Sequence, residues 1–548
     1  MSQTEARRWW ALAALSLSVL VVALDLFVLS LALPTLSRDL HASSSDLQWF
    51  VDSYSLVLAA VLLPAGLFGD RIGRKRILLV ALGVFGLASL ACAYSTSAGE
   101  LIAARAVLGL AAAVILPMAL AVLPVMFTAE ERPRAIAAVG GATFLGYPIG
   151  PILGGWLLDH FWWGSVFLIN LPVVVIAIVA VSTLMPESRG TDKFRVDVAG
   201  IGISSAGLAL VTYGLIKAGN NGWRDATAIA TMAAGVVALI AFIAWERRIT
   251  AGRSGSKTLP LVDLKLFGSA GFTWGTVLAT LVSFALFGLV FAMPQYFLDV
   301  RGLNSLGAGV RMLPMIVGLA AGLVIGQRLQ TPRKPRRRTA DLAGADATGS
   351  QVVPPVRPKI LIAAGFAIMA IALAIGTGTT LGSSTGFAAA WFAVTGFGLG
   401  LAMPTALNVA LGALSAARSG AGSALITAMR QVGGTIGVAV LGTVLATVYR
   451  DRLHLTGLPA AASSAIRSSV AGGVATARAA GSSALLDAVR GAYVHGLDVM
   501  LWVCAGIAIA SAVLAVVFLP SRPSAPESDS AGDTDQDAIA TPVVLRAE

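Results

Sequence analysis

The sequence predicts an all-α integral membrane protein with 14 transmembrane helices, arranged as two six-helix bundles with an inserted helix pair between them. Three observations lead to this prediction. Hydrophobic residues make up 57% of the 548 residues and charged residues only 12%, which is more apolar surface than a soluble domain of this length can bury. Uncharged stretches of about 20 residues recur along the whole chain. These stretches divide as six, two and six, with the central two joined by the turn AGNNGW at 218–223.

Each apolar stretch is expected to form one membrane-spanning helix, because about 20 residues at 1.5 Å per residue match the hydrocarbon core of a bilayer. The predicted helices, counted from first to fourteenth, cover 11–33, 48–69, 77–96, 101–123, 135–158, 166–185, 197–217, 226–245, 270–297, 305–326, 360–380, 386–412, 420–447 and 497–519. The predicted domains are a cytoplasmic N-terminus 1–10, an N-terminal six-helix bundle 11–186, a two-helix linker insertion 187–268, a C-terminal six-helix bundle 269–519 and a disordered cytoplasmic tail 520–548.

The distribution of basic residues predicts the orientation. Most of the 39 Lys and Arg residues fall in the segments that lie on the same side as both termini, so the positive-inside rule places both termini in the cytoplasm. The basic, Pro-rich segment 327–359 is then an inner loop, and 448–495 is a long outer loop whose Ala-rich stretch could form a short helical hairpin. The net charge of +11 therefore reflects membrane orientation, and nucleic acid is not an expected partner.

The first predicted helix carries one carboxylate, Asp25, inside the apolar run VVALDLFVLSLALP at 21–34. Its side chain is too short to reach the membrane surface, so its charge is costly unless it is paired, hydrated in a cavity or protonated. Burial disfavours the charged form of a carboxylate, and a nearby arginine favours it. A site that opens alternately to two sides can therefore take a proton from one side and release it to the other.

A second acid, Asp52, lies in WFVDSY at 49–54, just beneath the Trp49 position in the second predicted helix. Tryptophan is enriched at membrane interfaces, so Asp52 is either a hydrated interfacial residue or a second membrane carboxylate. In the second case it is a candidate for proton coupling and for binding a cation.

The fourth predicted helix carries a positive charge, Arg105, in LIAARAVLG. It lies only about 8 Å below the outer end of its helix at 1.5 Å per residue. Two interpretations stay open: the side chain reaches the lipid headgroups, or it pairs with an acid of the first helix.

The loop between the second and third helices reads GLFGDRIGRKRIL at 66–78. Its glycines permit a tight turn and close helix approach. Its charged residues can cap a helix or pair with groups on other helices. The residues concerned are Gly66, Asp70, Arg71, Gly73, Arg74 and Lys75.

The fifth predicted helix contains GYPIGPILGG at 146–155. Four glycines leave one helix face without side chains, and the proline weakens the backbone hydrogen-bond ladder. Another helix can therefore pack closely there, and the helix can bend. The residues concerned are Gly146, Gly150, Pro151, Gly154 and Gly155.

The C-terminal half offers Arg430 and Gln431, about 15 Å from the inner end of the thirteenth helix at 1.5 Å per residue. They contact substrate, hold a gate or form a structural pair between helices. Asp299, at the outer end of the ninth helix, is expected to be exposed to outer water. Seven aromatic residues are candidates for a cavity that attracts a lipophilic cation, with ordinary membrane packing as the alternative for each: Phe27, Tyr54, Phe144, Tyr147, Phe287, Phe291 and Trp391.

These motifs resemble those of the major facilitator superfamily. The loop at 66–78 is similar to its signature loop, with Phe68 and Gly69 in place of the usual Leu and Ala. Arg105 and Gly109 resemble its helix-four motif, and G-P-x-x-G-G resembles the antiporter motif of its drug/proton exporters. The stretches ALDLFVLSLALP, WFVDSY and WWGSVFLINLP most resemble the QacA-type multidrug exporters of the 14-helix drug/proton antiporter branch.

The resemblance implies proton-coupled export of lipophilic cationic drugs, dyes or quaternary ammonium biocides across the bacterial cytoplasmic membrane. The loop at 66–78 would be a conformational latch between the halves. Asp25, with Asp52 and Arg105, would couple transport to protons, and no cofactor is expected because the proton gradient supplies the energy. The implied partners are small lipophilic substrates, protons and the lipid bilayer, and the chain is expected to be a monomer.

Other classes of function lack their sequence signals. No phosphate-binding G-x-x-x-x-G-K-[ST] motif occurs, as an ATP-driven pump would require. The four histidines fall in predicted outer loops and form no cluster with cysteine that could hold a catalytic metal: His41, His160, His454 and His495. Two alternatives remain within transport, namely a dedicated exporter of a neutral or anionic antibiotic or metabolite, and a proton symporter for uptake.

Overall fold

The computed structural model describes residues 3–128, 131–185, 187, 197–251, 261–262, 264–330, 356–414, 419–455 and 458–520. Its described residues form helices and connecting segments, with no strand among them. The all-α prediction is therefore confirmed. The predicted tail 520–548, apart from its first residue, and most of the predicted inner loop 327–359 lie outside the described residues.

The N-terminal bundle has six crossings built from eight helices. Two short helices are α5, which follows the fourth crossing, and α7, which together with α8 forms the sixth. Large apolar side chains from the different crossings, such as Phe50, Phe85 and Phe167, are buried in one core. The helices are α1 Gln3–Asp39, α2 Ser44–Ile72, α3 Arg74–Ala93, α4 Ala98–Ala121, α5 Leu123–Met126, α6 Arg132–His160, α7 Ser165–Leu168 and α8 Asn170–Leu184.

The inserted pair consists of α9 Val198–Asn221 and α10 Ala226–Thr250. Each begins with an aspartate whose carboxylate accepts a backbone N–H of the first turn, which satisfies one of the free donors at a helix N-terminus. Asp197 accepts from Gly200 at 3.0 Å, and Asp225 accepts from Ala228 at 2.8 Å.

The C-terminal bundle also has six crossings. A 3-10 turn, Leu264–Gly268, precedes its first helix, which ends in a π-helical turn, Tyr296–Val300. The long helices are α11 Ala270–Gln295, α12 Ser305–Gln330, α13 Pro358–Gly376, α14 Thr385–Gly412, α15 Ser419–Asp451 and α18 Ser483–Phe518. Between the last two lies a short hairpin of α16 Ala460–Ser468 and α17 Val470–Ala479.

Two sequence predictions about loops were wrong. The last long helix begins at Ser483, well before the predicted start at 497, because the Ser482 hydroxyl caps it by accepting the Leu485 N–H at 3.2 Å. His495 therefore lies inside α18. His160 is the last residue of α6, not a loop residue.

The number of crossings agrees with the prediction. Twelve helices in the described part of the chain are long and apolar enough to cross a membrane. The helices α2 and α6, with 29 residues each, pack within the same N-terminal bundle and complete a set of fourteen. An even number of crossings returns the chain to the end of the molecule at which α1 begins, here called the terminus end; the opposite end is the far end.

The two bundles meet at the far end. The Ser37 hydroxyl of α1 lies 2.8 Å from the Ser469 hydroxyl, and the Ser44 hydroxyl donates to the Ser468 carbonyl at 2.7 Å. Asp159, near the end of α6, binds the start of α12. The structure therefore has its far end closed.

Candidate proton and substrate site

Asp25 and Arg105 form an ion pair in the interior of the N-terminal bundle. Arg105 Nη1 on α4 donates to Asp25 Oδ2 on α1, and the two residues are 0% and 2% exposed, respectively. Asn170 of α8 donates to the other Asp25 oxygen at 3.3 Å and lies 3.1 Å from the Ser89 hydroxyl of α3. Residues of two other helices thus bind this carboxylate, a third helix holds Asn170 through Ser89, and both carboxylate oxygens have a partner.

Helix α2 fixes the position of Arg105. Arg105 Nε donates to the Phe50 carbonyl at 3.0 Å, and its guanidinium carbon lies 4.4 Å from the centre of the Tyr54 ring. A guanidinium over an aromatic face is a favourable cation–π arrangement. Because Arg105 is fully buried, the structure does not support the interpretation that its side chain reaches the lipid headgroups.

Gly109 permits this arrangement. It lies one turn after Arg105, and a Cβ atom at this position would collide with the Tyr54 carbonyl oxygen. Because only a residue without a side chain fits, α4 and α2 can approach closely enough for Tyr54 to lie under the guanidinium.

We expect Gly109→Ala to destabilise the folded protein by about 1–3 kcal/mol, the usual cost of overpacking a buried contact. The matched control is Gly99→Ala in the same helix, where a Cβ would meet no atom within 4 Å. Thermal unfolding of the purified protein in detergent should show a lower midpoint for Gly109→Ala only. Equal midpoints for the two variants would contradict the close contact.

Asp52 is a buried residue of α2. It is 0% exposed, so the structure does not support the interpretation of a hydrated interfacial residue. Neither carboxyl oxygen has a hydrogen-bond partner among the described residues. Gln48, one turn earlier on the same helix face, lies directly against Gly442 of α15. Asp52 is therefore on the face of α2 that packs against the C-terminal bundle.

The glycine-rich face of α6 contacts both bundles. A Cβ on Gly146 would lie 2.7 Å from Ala23 of α1, and one on Gly154 would lie 3.1 Å from Val28. On the other side, a Cβ on Gly155 would lie 2.6 Å from the Ser305 carbonyl oxygen of α12. The Pro151 carbonyl packs directly against Gly309 of α12, and Gly150 is buried. This helix thus connects the Asp25 helix to the C-terminal bundle.

The signature loop lies at the terminus end. Gly73 has a φ of 121°, a conformation that favours glycine, and separates α2 from α3. Arg74 donates to the Ala121 carbonyl at 2.8 Å, and Lys75 donates to the Ser182 carbonyl at 2.7 Å. These contacts join segments of the N-terminal bundle. Three residues of the predicted motif, Gly66, Asp70 and Arg71, have side-chain positions outside the described part of the structure.

The aromatic candidates do not form one cluster. Phe291 of α11 is buried in the core of the N-terminal bundle, and Phe287 packs against Gly434 of α15, so both lie where the two bundles meet. Trp391 lies in the core of the C-terminal bundle, with its ring 3.0 Å from where a Cβ on Gly376 would be. The side chains of three others lie outside the described part: Phe27, Phe144 and Tyr147.

The polar candidates of α15 are half-buried. Arg430 Nε donates to the Ser283 hydroxyl of α11 at 3.2 Å, and Arg430 Nη2 lies 3.7 Å from the Met403 sulfur of α14. Gln431 is half-buried beside it. These contacts tie three helices of the C-terminal bundle together and do not bring Arg430 into contact with the Asp25 ion pair.

Sequence reasoning missed Asn170 and misplaced Asp299. Asn170 is a single amide in the apolar stretch FLINLP, and that isolation was the available signal. Asp299 was predicted to be exposed to outer water but is only 5% exposed. It borders a cavity of about 140 Å³ at the far end, together with Arg38 and Arg478, because the α16–α17 hairpin covers this surface.

A family comparison identifies the chain. The model of the Major Facilitator Superfamily matches residues 15–438. The chain belongs to the major facilitator superfamily. The family predicted from the sequence motifs is therefore confirmed. The prediction that the protein is a multi-pass membrane transporter is confirmed with it.

Similar members of the superfamily cover nearly the whole chain. The multidrug efflux pump LfrA of Mycolicibacterium smegmatis is 32% identical over 94% of this chain and 97% of its own length. The tetracenomycin C resistance and export protein of Streptomyces glaucescens is 30% identical over 95% and 94%, respectively. The methyl viologen resistance protein SmvA of Salmonella typhimurium is 31% identical over 90% and 95%.

Solved superfamily structures share the fold. A bacterial homologue of the human lysosomal transporter Spinster, in an inward-facing and unoccupied conformation, matches with a TM-score of 0.63 at 16% identity and covers 94% of this chain and 99% of that one. The xylose transporter XylE of E. coli in its inward open conformation matches with a TM-score of 0.56 at 12% identity, covering 94% and 97%.

Proposed function

We propose that this protein is a proton-coupled multidrug efflux antiporter that exports lipophilic cationic drugs, dyes or quaternary ammonium biocides by alternating access. It acts in the bacterial cytoplasmic membrane as a monomer without a cofactor, with its terminus end in the cytoplasm. The observation that carries the proposal is the buried Asp25–Arg105 ion pair in a bundle whose far end is closed. The names of the relatives, a multidrug efflux pump and a methyl viologen resistance protein among them, support it.

The proton step uses the alternative partners of Arg105. When the far end is open, a proton binds to Asp25 and breaks the ion pair. Arg105 then keeps the Phe50 carbonyl and the Tyr54 ring as partners. When the terminus end is open, Arg105 pairs with Asp25 again and the proton leaves. The ion pair present in this far-end-closed structure corresponds to the state after proton release, ready to accept a substrate cation.

Asp52 supplies the negative charge for the substrate. A buried carboxylate without a hydrogen-bond partner is costly as an anion, so it is stabilised either by a proton or by a bound organic cation. It faces the C-terminal bundle, and the side chains of Phe287 and Phe291 also lie where the two bundles meet. Because a proton and an organic cation compete for the Asp52 carboxylate, binding of one weakens binding of the other. This competition couples the flow of cations to the flow of protons.

Everted membrane vesicles test the proposal. In vesicles with an acidic interior, added quaternary ammonium dye should enter in exchange for protons and so raise the internal pH, measured with a pH-sensitive fluorophore. Vesicles that lack the protein should not respond. A symporter would instead move dye and protons in the same direction. Absence of any pH change over a panel of lipophilic cations would contradict cation/proton antiport.

A second candidate function is the export of a neutral or anionic antibiotic. The observation in its favour is the set of relatives named for tetracenomycin C export and methylenomycin A resistance. The two functions differ in their need for the Asp52 charge, because a neutral or anionic substrate gains nothing from a carboxylate.

Asp52→Asn separates these functions. We expect it to reduce efflux of lipophilic cations at least tenfold, since it removes the unpaired negative charge, while efflux of neutral substrates changes less than twofold. The measurement is the efflux rate of a cationic dye and of a neutral antibiotic in the same cells. Asp46→Asn is the control, because Asp46 is also in α2 but binds the backbone N–H of Ser43. An equal loss for both substrates would contradict a charge-specific role.

A further inference from the structure

Asp159 links the two bundles at the far end. It is the penultimate residue of α6 in the N-terminal bundle, and α12 of the C-terminal bundle begins opposite it. Its Oδ1 accepts the Ser305 N–H at 2.9 Å, and its Oδ2 accepts the Leu306 N–H at 3.1 Å. The Asn304 side-chain amide also donates to Oδ2, at 2.7 Å. One carboxylate thus caps the first turn of a helix in the other bundle.

A helix N-terminus favours such a partner for two reasons. Its first backbone N–H groups have no acceptor within the helix, and the helix dipole places partial positive charge there. Caps usually come from the chain immediately before the helix. Here the carboxylate comes from a residue 146 positions away, so the cap exists only while the two bundles are in contact at the far end.

The closest packing between the bundles lies directly beside this cap. Gly155, one turn before Asp159 on α6, leaves no room for a Cβ against Ser305 and Leu306. One turn further from the cap, the Pro151 carbonyl of α6 lies against Gly309 of α12. Separation of α6 from α12 at this contact therefore removes the hydrogen bonds of Asp159 and exposes the free N–H groups of α12 at the same time.

We propose that Asp159 is a positioning residue that sets the equilibrium between the far-end-closed and far-end-open states of the transport cycle. The proposal rests on the alternating access assumed in the proposed function, and it concerns the conformational step and not the substrate. Asp159 itself is exposed, so water can replace its partners as the bundles separate. The contact therefore stabilises the closed state without preventing opening.

Asp46 provides a matched comparison. It also lies at the far end, and its carboxylate also binds a backbone N–H at a helix start, from Ser43 at 2.8 Å. Its donor is the residue directly before its own helix, in its own bundle. Replacement of either aspartate removes one negative charge and one cap, but only Asp159 loses contacts between the bundles.

The test measures the conformational equilibrium in the full-length protein in lipid nanodiscs, with no substrate and no proton gradient. Spin labels are placed at Gly99→Cys and Gly382→Cys, two far-end positions in different bundles where an added side chain meets no atom within 4 Å. The two native cysteines, Cys92 and Cys504, are buried and are replaced by alanine. Pulsed electron spin resonance then gives the populations of short and long distances.

Asp159→Ala is expected to raise the ratio of open to closed populations about fivefold, the factor that the loss of a helix cap typically brings. Asp46→Ala should leave the ratio unchanged, and Asn304→Ala, which removes one donor to the same carboxylate, should shift it in the same direction as Asp159→Ala. An unchanged ratio in Asp159→Ala, or an equal shift in Asp46→Ala, would overturn the proposal. Because no transport is measured, a failure of the proposed drug/proton exchange would leave this result interpretable.

Discussion

Asp25→Asn is expected to abolish proton-coupled efflux and to destabilise the folded protein by about 3–5 kcal/mol, the usual cost of removing one partner of a buried ion pair. The asparagine cannot carry the proton, and it leaves the Arg105 guanidinium buried without its counter-charge. Dye efflux from energised cells measures the first effect, and thermal unfolding of the purified protein measures the second.

The double variant Asp25→Asn/Arg105→Gln separates these effects. Because it removes both charges, we expect it to recover part of the lost thermal stability, as expected when a buried ion pair is replaced by neutral groups. It should still show no proton-coupled efflux. Active efflux in either variant would exclude Asp25 as the proton carrier, and no recovery of stability in the double variant would contradict a direct ion pair.

Gly155→Leu is expected to reduce efflux at least tenfold while the protein still folds and inserts into the membrane. A side chain at this position would overlap the backbone of Ser305 and Leu306, so α6 and α12 could not pack at the far end. Overpacking of this kind costs about 1–3 kcal/mol. Here it mainly raises the free energy of the far-end-closed state. Efflux rates normalised to the amount of protein in the membrane measure the effect.

The control for this prediction is Gly506→Leu in α18. Gly506 is exposed on the outside of the bundle, and a Cβ there would meet no atom within 4 Å. It tests whether leucine in place of a membrane glycine is harmful in itself. Gly154→Ala should be milder than Gly155→Leu, since its Cβ would meet the Val28 side chain, which can move, at 3.1 Å. Normal efflux in Gly155→Leu would show that close contact of α6 with α12 is not needed for transport.

Much of the fold could be predicted because each membrane crossing corresponds to one apolar segment of the sequence. A bilayer requires about 20 apolar residues for every crossing, so the helices could be counted without knowledge of their packing. The prediction failed for the start of α18, where Asp487 and Arg490 interrupt the apolar run. Those residues lie beyond the apolar core of the helix, and its true start depends on the cap at Ser482.

The candidate site could be predicted where a charged residue interrupts an apolar helix. Asp25 and Arg105 could be recognised as charges in apolar helices, and Gly109 could be recognised from the spacing of a known motif. Asn170 and Asp159 could not be assigned in the same way. Their partners are 145 and 146 residues away, so the isolated amide of Asn170 could not be connected with Asp25. A helix-terminal aspartate such as Asp159 is common enough to carry no signal alone.

The sequence by itself determined that this chain crosses a membrane fourteen times and which superfamily it belongs to. It also showed which charges must be compensated if they are buried. Bilayer thickness and the cost of a buried charge act on each segment separately, so the crossings and these charges could be recognised without knowledge of the packing. The tertiary structure decided how they are compensated. It gave Asp25 both an arginine and an amide, left Asp52 without a hydrogen-bond partner among the described residues, and placed the Asp159 carboxylate at the start of a helix of the other bundle. These outcomes depend on which helices pack together, and that is fixed by the packing of the whole molecule and not by any one segment.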